Sequence, residues 1–109
     1  MKRGDVVVLV LPRAYGKPRP GVIVQSDLYQ GHASMTVLPI STTEVEDNLV
    51  RVVVSPEAEN GLVEPSFIMV DKIQTVPIGK VGQRIGRLPD HLMQDIDRAL
   101  TLFLGIGDR

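Results

Sequence analysis

The chain has 109 residues, with 12 Lys and Arg against 13 Asp and Glu, and neither cysteine nor tryptophan. This length supports one small core, so residues 1–109 read as a single domain. Without cysteine there is no disulfide staple or thiolate metal site, and a net charge of −1 argues against a uniformly basic nucleic-acid binder.

The charge is nevertheless segregated along the chain. Residues 1–19 carry Lys2, Arg3, Arg13, Lys17 and Arg19 against Asp5 alone, whereas residues 27–71 carry eight acids against Arg51 alone. Such blocks build a local positive patch, or average out where strands interleave.

The first element is "DVVVLVL" (5–11), a β-branched run closed by Pro12 that reads as a buried strand. Lys2 and Arg3 ahead of it imitate a signal peptide. The run is too short for that, Asp5 precedes it, and no small-residue cleavage site follows. No stretch approaches the ~20 apolar residues of a membrane helix. The expectation is a cytoplasmic protein with no membrane partner.

Next comes "YGKPRPGVIVQSD" (15–27), where Arg19 stands between Pro18 and Pro20, just ahead of an expected strand at 21–26. Proline fixes its own φ and biases the residue before it toward extended geometry. Arg19 is therefore restrained from both sides, as suits a guanidinium that must meet a phosphate at one angle. The alternative is a salt bridge to Asp27 or Asp71.

Further strands are expected at 34–40 and 49–54, with "SPEAENG" and its Asn60-Gly61 pair forming a turn. Residues 66–76 hold one or two more, and "KVGQRIGRL" another. Only the end changes period. Met93, Ile96, Leu100 and Phe103 fall at helical spacing, opened by Pro89 or Asp90 and closed by Gly105. The expected fold class is mainly β (α+β), a small, strongly curved antiparallel barrel with a C-terminal α-helix.

Metal hydrolysis and nucleotide-loop chemistry find no motif: HExxH and GxxxxGK[ST] are both missing, and the Gly82–Gly86 stretch lacks a strand–turn–helix context. His32 and His91, the only histidines, are not joined by spacing into an acid–base pair.

The succession "RGDV" (3–6), "RPGVIVQSD" (19–27), "TVLPIST" (36–42), "NGL" (60–62), "MVDKIQTV" (69–76), "IGRL" (85–88) and "ALTLFLG" (99–105) resembles the MazF/PemK toxin family. The resemblance implies an SH3-like barrel and a homodimer. It implies a ribosome-independent, metal-independent endoribonuclease that needs no cofactor. Single-stranded mRNA is cut at short sequences by 2′-hydroxyl attack, leaving a 2′,3′-cyclic phosphate and a 5′-hydroxyl. It also implies a cognate antitoxin whose acidic, disordered C-terminal tail blocks the RNA groove.

By the same resemblance Arg19 is the catalytic arginine, and the catalytic hydroxyl lies in "PISTT". Here the family's threonine–serine order is transposed. Position in the motif selects Ser41 and residue type selects Thr42, and both stay candidates, with Ser41 favoured. Lys17, Pro20, Gln25 and Asp71 are expected to contact RNA, and Tyr15 to stack on an unpaired base. Arg84 or Arg87 is expected to extend the positive channel. Met69 stands where some relatives have arginine. The short loop "PRAYGKPRP" lacks the carboxylate or histidine that others carry as a proton acceptor.

Two other functions fit a small barrel: a gyrase-poisoning toxin of the CcdB type, or a non-catalytic RNA- or protein-binding module. The gyrase poisons lack the arginine–proline approach to the second strand, so "KPRP" argues against them.

Overall fold

Among the described residues the chain forms seven strands: β1 (Asp5–Val10), β2 (Pro18–Ile23), β3 (Ser34–Ser41), β4 (Arg51–Val54), β5 (Ser66–Met69), β6 (Gln74–Pro77) and β7 (Val81–Arg87). They precede one helix, α1 (Asp90–Phe103). A computed structural model describes residues 1–11, 17–44 and 50–108. The strands form a single antiparallel sheet in the order β4-β5-β3-β2-β1-β7, with β6 also on β3.

β2 differs from expectation in its bounds, the one or two strands expected at 66–76 prove to be two, and both points bear on the site. β2 starts at Pro18 and ends at Ile23, so Arg19 lies inside the strand rather than ahead of it. Residues 66–76 break into β5, a 3-10 turn over Val70–Lys72, and β6. β5 pairs with the end of β3 (Ile40↔Ile68, Ser41↔Phe67), whereas β6 pairs with its start (Ser34↔Pro77 to Val37↔Gln74). The turn carries the chain across from one pairing to the other.

Alternation along the strands puts a separate apolar cluster on each face of the sheet. Val6, Val22, Leu38, Ile40, Val54 and Ile68 pack with Met93 and Ile96 of α1. Val7, Leu9, Ile23, Met35, Val37, Val76 and Val81 fill the opposite face. Burying each such side chain contributes about 1.5–3 kcal/mol, so both faces hold the fold.

The curvature has identifiable causes. The β1–β7 register shifts between Val6 and Val7 and again between Val7 and Leu9, and such bulges increase local twist. The two ends of the strand order approach each other without pairing. The Arg87 amide donates to the Glu59 carbonyl at 2.7 Å. A Cβ on Gly86 would lie 2.3 Å from the Asn60 carbonyl carbon, and one on Gly61 (φ +71°) would lie 2.1 Å from the Ile85 oxygen. The turn after β4 thus lies directly against β7. The sheet is strongly curved, and its ladder stays open.

Asp90 opens α1, where a carboxylate suits the helix N-terminus. The chain leaves the helix through Gly105, at φ +67°. Of the expected apolar stripe, Met93 and Ile96 are buried, but Phe103 is 44% exposed. The apolar spacing runs on past the core. Among the described residues no helix is long and apolar enough to cross a membrane.

Candidate active site

Three prolines open the site. Pro18, Pro20 and Pro39 have no N–H to give to a ladder, and the β2–β3 register ends at Gly21↔Pro39. Beyond that pair β3 turns to β5. The strands separate, and a cavity of about 520 Å³ lies at the gap.

Cross-strand register decides what faces it. Residues directly opposite each other put their side chains on the same face. Arg19 is opposite Leu9, and Pro39 is opposite Gly21. Arg19 and Gly21 share a face by alternation, as do Pro39 and Ser41. Arg19 and Ser41 therefore belong to one face of the sheet, that of Val7, Leu9 and Val37. Both line the cavity, with Pro20 and Thr42. A Cβ on Gly21 would lie 2.2 Å from Leu9 Cδ1, so glycine here lets Leu9 pack beneath the site.

The local chemistry suits an anion. Arg19 is exposed, and the ion pairs of the described residues do not include it. The alternative partners are engaged elsewhere: Asp27 accepts the Arg3 amide at 2.7 Å, and Asp71 faces Arg51. Lys72 adds a second cation, and Ser41, Thr42, Thr43 and Ser66 add four hydroxyls. No carboxylate or imidazole is among the described lining residues.

Ser41 and Thr42 are not equivalent. The Ser41 Oγ accepts the Thr43 amide at 3.0 Å, which orients the oxygen and leaves its proton free to donate. Thr42 lies one residue past β3 and is exposed. Ser41 thus caps the following turn, which is compatible with donation.

Other expected contacts lie elsewhere. Lys17 is exposed just before β2 and does not line the cavity. Gln25 is a structural clamp, donating to the Tyr29 carbonyl at 3.0 Å and accepting the Thr36 amide at 3.0 Å. Asp71 sits 3.1 Å from Arg51 Nε, with side chains only 7% and 12% exposed. Asp71 is nearly buried and is not among the described residues lining the cavity. Arg51 stands directly opposite Met69. Tyr15 lies outside the described residues.

Arg84 and Arg87 are not among the described residues lining the cavity. Both donate to Asp5 Oδ1, at 3.1 and 3.3 Å, while the Lys2 amide donates to Oδ2 at 2.8 Å. Burial alone would raise the Asp5 carboxyl; the Lys2 amide and the two guanidiniums outweigh it and hold it below the usual carboxylate range. His32 packs edge-on to Tyr29 at 5.8 Å, and His91 lies in the first turn of α1. Neither lines the groove.

Sequence reasoning missed Lys72, Gln74, Thr43 and Ser66. Lys72 and Gln74 reach the site only through the 3-10 turn, which has no periodicity to read. Thr43 was visible in "STT" as a third hydroxyl.

Comparison with known proteins agrees with the geometry. The family described as "PemK-like, MazF-like toxin of type II toxin-antitoxin system" matches residues 2–104. A probable endoribonuclease MazF from Mycolicibacterium smegmatis is 42% identical over 98% of this chain and 99% of its own. Endoribonuclease EndoA of Bacillus subtilis is 25% identical over 99% of this chain and 97% of its own. Among solved structures, the Mycobacterium tuberculosis toxin MazF-mt6 superposes with a TM-score of 0.79 at 27% identity, covering 93% of this chain and 96% of that one. A mycobacterial endoribonuclease in complex with its cognate antitoxin has the same fold (TM-score 0.81, 21% identity), covering 100% and 99% of the two chains. With the match spanning nearly every residue, the chain belongs to the PemK-like, MazF-like toxins of type II toxin–antitoxin systems.

Proposed function

We propose that this chain is an endoribonuclease toxin that cleaves single-stranded RNA in the groove between β2 and β3, with Arg19 and Ser41 as its catalytic groups. The observation that carries this is their common face at the cavity, with no carboxylate among the described residues lining it. RNA brings its own nucleophile, so positioning and charge stabilisation are the chemistry asked of the protein. The 2′-oxygen forms a bond to the adjacent phosphorus, and the bond from phosphorus to the 5′-oxygen breaks. A 2′,3′-cyclic phosphate and a 5′-hydroxyl result. The proton lost from the 2′-hydroxyl is matched by the one the 5′-oxygen takes up.

Arg19 supplies a charged planar fork able to hold two non-bridging oxygens as the phosphorane forms. Its strand carries Pro18 and Pro20 on either side, which limits how far the fork wanders. Preorganised donors of this kind are worth about a hundredfold to a thousandfold each. Ser41, oriented by the Thr43 amide, donates to a phosphate oxygen; Thr42 is the secondary candidate. Pro20 and Lys72 flank the bound strand.

The working form is a cytoplasmic homodimer. Its inhibitor is an antitoxin whose acidic, disordered C-terminal tail enters the same groove, since two cations that suit a phosphate chain also suit carboxylates. The test is denatured total RNA incubated with the protein in EDTA. Fragments ending in cyclic phosphate support the nuclease. Intact RNA with inhibited supercoiling would instead identify a gyrase poison.

A further inference from the structure

We propose that Gln74 determines specificity, its side-chain amide reading the Watson–Crick edge of an unpaired base seated beside Arg19. The inference rests on the RNA-cleaving reading above. Gln74 opens β6 directly opposite Val37, so its side chain shares a face with Val37, Pro39 and Ser41. It lines the same cavity as Arg19.

The chain holds two informative glutamines in opposite states. Gln25 has both ends of its amide engaged by backbone groups at 3.0 Å. Gln74 makes one long contact, from Nε2 to the Lys72 carbonyl at 3.4 Å. Among the described residues its Oε1 has no partner, and one N–H is free. A carboxamide with both a donor and an acceptor available matches a base edge, which presents both.

The surroundings select the same occupant. Leu11, Pro39 and Met69 give the cavity apolar walls suited to the flat face of a base. Arg19 and Lys72 flank them with positive charge, as a base still attached to its phosphate chain requires. A site that pairs with one base edge discriminates by leaving its own polar groups unmatched against the others.

A randomised single-stranded RNA library, cut under single-turnover conditions and sequenced at the new ends, tests the inference. The wild type should discriminate among bases at one position next to the cut. Gln74→Ala should flatten that position by about tenfold or more while leaving other positions as they were. Gln74→Glu, which can only accept, should re-rank it toward bases with exocyclic amino groups. Thr75→Ala, next in sequence but on the opposite face, should leave the profile unchanged. A Gln74→Ala profile identical to wild type, or a loss spread equally over all positions, overturns the inference alone. A wild-type protein that cuts no RNA overturns both it and the nuclease reading.

Discussion

Two pairs of cations lie on this small protein and do opposite things. At the β1–β7 edge, Arg84 and Arg87 converge on Asp5, whose side chain is only 7% exposed. At the β2–β3 gap, Arg19 and Lys72 face a cavity with no carboxylate among its described lining residues. A cation placed for structure is supplied with a counter-ion by the fold. A cation placed for a ligand is left without one, and the ligand completes the pair. The number of arginines therefore says little about function, and their partners say a great deal.

The sharpest way to break the comparison is to remove one arginine from each pair. Arg19→Ala should slow single-turnover RNA cleavage by about a hundredfold to a thousandfold, the range for one preorganised donor. Arg84→Ala should leave the rate within a few fold and lower stability by no more than about 1 kcal/mol, since its side chain is 53% exposed. Comparable rate losses in both variants would erase the distinction.

A smaller effect is expected at the hydroxyls. Losing a donor to a charged phosphate oxygen costs about 1.5–3 kcal/mol, so Ser41→Ala should lower the cleavage rate constant by about one to two decades with RNA affinity little changed. Thr42→Ala should stay within a few fold. Single-turnover rates on folded variants decide this, and the reverse ranking would transfer the role to Thr42.

The smallest effect concerns the structural cluster. Asp5 titrates lower in the folded protein than its ordinary value of 3.8, so its ionised form stabilises the fold. That contribution is complete above the ordinary value and disappears as pH falls through the lowered folded one. Asp5→Asn should cost about 1–2 kcal/mol near neutral pH, after allowing for the exposure of its arginine partners. Chemical denaturation of both proteins from pH 7 to pH 2 should show the difference shrinking at the acid end. A constant difference would mean that the carboxylate charge is irrelevant to stability.

Much of this contrast was legible in the amino-acid order. The β-branched runs at 5–11, 34–40 and 49–54 marked strands because burial rewards that pattern regardless of context. Arg19 was visible through its two prolines, a local restraint. What escaped was set by register. Arg51 meets Asp71 only because β4 pairs with β5 as Arg51↔Met69, and no local pattern reports a cross-strand partner. Gln25 looked like an RNA contact within its motif, but the turn after β2 folds Tyr29 and Thr36 onto its amide. Arg84 and Arg87 looked like channel residues until β7 paired with β1 and placed them over Asp5. The strand expected at 21–26 begins earlier, at Pro18, and its two prolines have no N–H for a ladder. They are accommodated where β2 parts from β3, and that separation is the site itself.

The central claim is that the β2–β3 gap holds RNA for attack by its own 2′-hydroxyl. The most direct measurement uses one cleavable oligonucleotide and a copy with a single 2′-deoxy sugar on the 5′ side of the cut, comparing binding and single-turnover cleavage. The deoxy copy should bind with nearly unchanged affinity and remain uncut. Cleavage of that copy at the same bond would contradict the account, because the nucleophile would then have to come from somewhere other than the RNA.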